Sequence, residues 1–111
     1  MGTSSVGKIA LVPFPFSDLS NAKLRPAVVL AATEKGDLIL AQITSNPYSD
    51  SLAIEITDAH FIEGSLKRIS YVRPGKLFTS SETLINKYVG TLNSEKLSQV
   101  IEIVIKVIRG K

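Results

Sequence analysis

The apolar residues of this chain come in short runs separated by turn formers roughly every eight to twelve residues. That spacing constrains the fold more than any other feature. Such runs suit the strands of a small barrel or sandwich. Val6 to Phe14 is apolar with partial alternation: Ile9 and Leu11 face one way, Ala10 and Val12 the other. Pro13 and Pro15 cannot donate to a ladder, so they end this strand or lie on an edge. Ser17 to Leu24 reads as a polar hairpin loop. Pro26 to Ala32 is a continuous apolar run, the pattern of a strand buried on both faces. Glu34-Lys35-Gly36-Asp37 is a turn, Leu38 to Thr44 a strand, Ser45 to Ser51 a loop and Ala53 to Thr57 a short strand. Ile69–Val72, Lys76–Thr79 and Val89–Leu92 add three more.

Two helices are expected. Ser81 to Val89 opens on a capping Ser with an early Glu82, and Gly90 stands at a favoured C-terminal position. The last segment starts at Asn93 or Ser94. It places Leu97, Val100, Ile101, Val104, Ile105 and Ile108 on one helical stripe. Ile103 and Val107 widen that stripe enough to cover a second surface as well as the chain's own core. The expected class is therefore mainly β with appended helices. Residues 1–5 are expected to be a disordered tail and residues 6–111 a single domain.

With 111 residues, the chain holds one packed core. Cysteine is absent, which removes disulfides, thiolate zinc sites and a cysteine nucleophile. One histidine, His60, cannot build a multi-histidine metal site or a two-histidine acid–base pair within one chain. A lone loop histidine is most often exposed or singly hydrogen-bonded. The acidic residues show no metal-ligand or paired-carboxylate spacing, and the glycines form no phosphate-cradling loop. No apolar stretch approaches the roughly 18 residues of a membrane helix, and the small polar N-terminus has no secretory core. A cytoplasmic location with no membrane contact is expected. Any chemistry falls to Arg, Lys, hydroxyls, Tyr, carboxylates or backbone groups.

The formal net charge is +3, and the excess lies in the second half, where Lys67, Arg68, Arg73 and Lys76 sit within ten residues. This reads equally as a solvated edge or as a phosphate-contacting face. Two segments are more telling. Lys23-Leu24-Arg25-Pro26 opens the buried strand, and Pro26 forces Arg25 into an extended conformation. Arg25 thus presents a charged planar fork suited to phosphate, or else lays its stem on apolar neighbours. Ile43-Thr44-Ser45 ends a strand with two hydroxyls that can meet a phosphate or cap the turn.

At these segments the sequence resembles the MazF/PemK toxins of bacterial type II toxin–antitoxin systems. The resemblance runs from Gly7 to about Ile108. It is carried by V-P-F-P-F-S-D-L-S-N-A-K-L-R-P-A-V-V-L (12–30), A-Q-I-T-S (41–45), G-S-L-K-R-I-S-Y-V-R-P-G-K-L-F-T (64–79) and V-G-T-L-N-S-E-K-L-S-Q-V (89–100). It implies an SH3-like small barrel of the MazF/CcdB type with a C-terminal helix, assembled as a homodimer. It also implies a metal-independent, cofactor-free endoribonuclease that cuts single-stranded RNA, leaving 2′,3′-cyclic phosphate and 5′-OH ends. Carried over, the catalytic pair is Arg25 and Thr44. Arg25 would stabilise the charge of the phosphorane and Thr44 would hydrogen-bond the scissile phosphate. The groove loop contributes Phe16, Ser17, Asp18 and Lys23 as RNA contacts. Ser45, Ser70 and Arg73 complete the RNA-binding set. The implied partner besides RNA is a cognate antitoxin, through which alone DNA is reached.

The chain departs from the family pattern at Gly7-Lys8, where many members have Gly-Asp, and in a groove loop with Asp18 and Lys23 where some carry Glu. Two rivals share the barrel: a gyrase poison of the CcdB type, against which the R-P with I-T pair argues, and a member that binds RNA or antitoxin without cutting.

Overall fold

A computed structural model describes residues 5–14, 23–47 and 50–110, with the side chains of Phe14 and Lys23 left aside. The chain forms seven strands: β1 (Lys8–Phe14), β2 (Lys23–Ala32), β3 (Asp37–Thr44), β4 (Ile54–Ile56), β5 (Phe61–Gly64), β6 (Ser70–Ser81) and β7 (Lys87–Leu92). One helix, α1 (Ser94–Arg109), follows. The strands form one curled sheet in the order β4-β6-β3-β2-β1-β7-β5, an open half-barrel. Every pairing is antiparallel.

Alternation along the central strands buries both sheet faces. Ile9, Val28, Ala41 and Ile43 enter one apolar cluster with Ile54, Ile56 and the helix residues Val100 and Val104. Their neighbours Ala10, Val12, Ala27, Val29, Leu38 and Leu40 enter the second, which Val6, Phe78, Ile85 and Tyr88 cover. The unbroken apolar run of β2 thus has the two-sided burial its composition predicts.

β1 passes through Pro13, which stands opposite Leu24 of β2. On its other side β1 pairs with β7 only from Lys8 to Leu11. Pro13 therefore sits where the strand has become a local edge and no donor is required. β6 is one twelve-residue strand where two short ones are expected from the sequence. Its Arg73-Pro74-Gly75-Lys76 segment is accommodated in a register shift opposite Ala41 and Ile43, so proline and glycine make a bulge and not a break.

The helix expected over Ser81–Val89 is absent. Ser81 does cap, accepting from the Thr83 N–H, but only over a single 3-10 turn, Glu82–Leu84. The chain then extends into β7, because Ile85 and Tyr88 are needed as cover for the second cluster. Gly90 lies within β7, where a Cβ would come within 2.7 Å of the Phe61 ring. β5 forms in a stretch where no element is expected from the sequence. His60 ends the short turn before it, with Nδ1 accepting a single hydrogen bond from the Thr57 N–H at 2.9 Å.

α1 has Asn93 as its N-cap and Gly110, at φ +76°, as its left-handed C-cap. Val100 and Val104 are its buried residues. Ile103, expected to help cover a second surface, packs against the chain's own core, whereas Ile108 stays exposed. At the other terminus Ser5 is buried. Its hydroxyl accepts from Tyr88 at 3.2 Å and donates to Glu82 at 3.3 Å.

Candidate active site

The β2–β3 register pairs Ala27 with Gln42. Carried two residues on, it sets Arg25 beside Thr44 at the open ends of both strands, on a common face. β1 fixes the backbone of Arg25 from the other side by pairing it with Val12. Arg25 is half-buried and its Nε is shielded from solvent.

Arg25 and Thr44 line one cavity of about 410 Å³, together with Ser45, Ser70 and Arg68. Leu24, Pro26, Ile43 and Leu66 supply the apolar part of its lining. Among the described residues the charged groups of that lining are two guanidiniums, with no carboxylate. An anion entering it meets fixed positive charge at reduced dielectric, where Coulomb attraction exceeds its value in bulk water.

Thr44 is held in a local turn. Its hydroxyl donates to the Asn46 carbonyl and accepts from the Asn46 N–H, both at 3.1 Å. To donate to a phosphate oxygen it must exchange the Asn46 carbonyl for that oxygen. Ser70 is 4% exposed and donates to the Arg68 carbonyl at 3.3 Å, which ties the start of β6 to the turn before it.

Arg73 lies elsewhere. Its Nε donates to Asp50 Oδ2 at 2.8 Å. It lines a separate hollow of about 370 Å³ with Asp50, Lys76, Pro47 and the Ser51-Leu52 turn. The hydrogen bond from Arg73 holds the Asp50 carboxyl below the usual carboxylate range. Burial opposes that shift, and the Leu52 N–H, donating at 3.0 Å, adds to it. Of the expected site residues, then, Arg25, Thr44, Ser45 and Ser70 converge, and Arg73 does not. Phe16, Ser17 and Asp18 lie outside the described residues, and only the backbone of Lys23 is described, as the start of β2.

Residues 5–108 match the family model of the PemK-like, MazF-like toxins of type II toxin–antitoxin systems. The chain belongs to this family. As a MazF-like protein it shares its fold with solved structures of low identity. It aligns with an endoribonuclease in complex with its cognate antitoxin from a mycobacterial species at TM-score 0.74 and 8% identity, covering 96% of this chain and 95% of that one. The Mycobacterium tuberculosis toxin MazF-mt6 aligns at TM-score 0.70 and 17% identity, with 92% and 96% covered. A MazE–MazF structure from Deinococcus radiodurans aligns at 0.71 and 14%, with 95% of each chain covered. No curated protein matches the sequence.

Two lining residues of this MazF-like cavity, Leu66 and Arg68, are not singled out by sequence reasoning. The signal available for Arg68 is the basic cluster itself, which does not say which of its four members faces the cavity. Among the described residues no three His, Asp or Glu side chains converge as metal ligands.

Proposed function

We propose that this MazF-like chain is an endoribonuclease that cuts single-stranded RNA without a metal ion. The observation that carries the reading is the meeting of Arg25 and Thr44 in one cavity, with Ser45, Ser70 and Arg68 beside them. In the reaction the ribose 2′-oxygen bonds to the neighbouring phosphorus and the bond from phosphorus to O5′ breaks. The 2′-hydroxyl loses its proton and O5′ gains one. The products are a 2′,3′-cyclic phosphate and a 5′-OH.

Arg25 stabilises the charge that builds on the non-bridging oxygens, a contribution worth about 10²–10³ in rate when a single oxyanion donor is lost elsewhere. Thr44 gives its O–H to one of those oxygens after releasing Asn46. Ser45 and Ser70 contact the RNA beside it, and the loop from Phe16 to Leu24, with Phe16, Ser17, Asp18 and Lys23, holds the bases. The protein acts as a cytoplasmic homodimer. A cognate antitoxin neutralises it by laying an acidic or apolar tail in the RNA groove, and DNA is met only through that antitoxin. Structures of like fold from mycobacteria and Deinococcus radiodurans, solved with their antitoxins, support this assignment of partners.

The test is cleavage of a long single-stranded RNA in EDTA, followed by analysis of the new ends. Cyclic phosphate and 5′-OH ends are expected. Cleavage that requires added Mg²⁺, or that leaves 3′-OH ends, would contradict the mechanism.

A further inference from the structure

We infer that Arg68 binds a second phosphate of the same RNA, the neighbour of the one held by Arg25 and Thr44. The inference rests on the endoribonuclease reading and deepens it. Four basic residues cluster between positions 67 and 76, and the structure separates them. Arg73 is neutralised by Asp50 and lines a different hollow, which Lys76 shares. Arg68 alone of the four lines the cavity of Arg25 and Thr44. The only ion pair among the described residues is that of Arg73, so the charge of Arg68 is not cancelled by any of them.

The turn that presents Arg68 is built for the purpose. Asp58 accepts a hydrogen bond from the Ser65 hydroxyl, which in turn accepts from the Lys67 N–H at 2.8 Å. Lys67 sits at φ +65°, the one non-glycine residue with positive φ among the described residues. Backbone held in that region costs free energy, and such residues gather at functional sites. On the far side Ser70 donates to the Arg68 carbonyl. The Arg68 backbone is thus braced from both directions while its side chain remains exposed.

The cavity has room for more than one phosphate. About 410 Å³ lies within the range of pockets that hold small organic ligands, about 300–1,000 Å³, and exceeds the needs of one phosphate. A nucleotide inside an RNA strand carries a phosphate on each side. Arg25, on β2, and Arg68, on the β5–β6 turn, offer a planar fork for each.

The experiment uses an oligonucleotide built around the cut site mapped on a long RNA. Cleavage and, with a 2′-deoxy nucleotide at the cut, binding are measured for the wild type and Arg68→Gln. Each is repeated with the phosphates flanking the scissile one replaced singly by uncharged methylphosphonates. Arg68→Gln is expected to raise KM and Kd about tenfold with kcat changed less than twofold. It should also flatten the dependence of log Kd on log salt by about 0.7. Arg68→Lys should restore the salt slope. One methylphosphonate should weaken the wild type equally and leave Arg68→Gln unaffected. Wild-type affinity in Arg68→Gln, or penalties that simply add, would overturn the second-phosphate contact while leaving the nuclease reading intact. A wild type that neither binds nor cuts RNA would overturn both. An unchanged melting temperature separates these effects from misfolding.

Discussion

Two arginine-bearing hollows lie along the segment that leaves β3. One is lined by Arg25 with Thr44 and Ser45, the other by Arg73 with Pro47, Asp50 and Leu52. They are similar in volume and each includes a second cation, Arg68 in the first and Lys76 in the second. Among the described residues the difference in charge is one carboxylate. Asp50 takes up the Arg73 Nε and fixes that side chain as a brace for the loop, whereas no acid among the described residues lines the first hollow. A guanidinium already paired with a carboxylate has little left to offer a phosphate, since the ligand must displace a charge-assisted bond. The same residue type thus braces a loop in one hollow and stands beside two hydroxyl residues, Thr44 and Ser45, in the other.

The sharpest way to break this contrast is to remove each arginine in turn. Arg25→Ala is expected to lower kcat for RNA cleavage by about 10²–10³-fold with the fold retained. Arg73→Ala should leave kcat within about threefold of the wild type, measured at a temperature well below its melting point. If the two variants lost activity equally, the division between a chemical and a structural arginine would be wrong.

Thr44 refines the same contrast within the first hollow. Its hydroxyl now serves Asn46, so the substitution reports both on chemistry and on the turn. Thr44→Val keeps the shape and removes the hydroxyl, and about a 10- to 100-fold loss in kcat is expected. Thr44→Ser should recover most of it, because the hydroxyl can still exchange the Asn46 carbonyl for phosphate. A Ser variant as slow as the Val variant would mean that the methyl group, and not the donor, matters.

These residues also show what the sequence made legible. The strands with uninterrupted or alternating apolar residues, β1 to β4, were readable because burial itself writes their pattern. The R-P and I-T-S segments were readable because proline fixes the backbone of Arg25 and because Thr44 ends a recognisable strand. What could not be read depends on contacts distant in sequence. Gly90 looks like a helix terminator but serves the close approach of Phe61. Ser81 is a true cap on a helix that stops after one turn, since tertiary cover claims Ile85 and Tyr88. Arg73 and Arg68 are five residues apart in the same basic cluster. Only the fold shows that Asp50, 23 residues before Arg73, neutralises one and not the other.

The brace itself has a modest expected energy. Asp50 and Arg73 side chains keep 16% and 30% of their exposure, so solvent screens their attraction. Arg73→Gln should therefore lower unfolding stability by only about 1 kcal/mol in urea titrations near pH 6. A loss several times larger would mean that the loop carries stability beyond the ion pair.

The smallest effect, and the one that ties the loss to Asp50, is its pH dependence. The folded carboxyl titrates below its unfolded counterpart, chiefly because Arg73 donates to it. Between those two values the unfolded chain binds more protons, so the stability due to this group rises with pH. It is fully present above about pH 4, the unfolded carboxylate value, and is lost as pH falls through the lower folded value. The gap between wild type and Arg73→Gln should accordingly stay constant from pH 7 to about pH 5 and close on further acidification. A gap that persisted once the folded carboxyl is itself protonated would assign the stabilisation to packing of the arginine stem, because protonated Asp50 no longer offers it a charge.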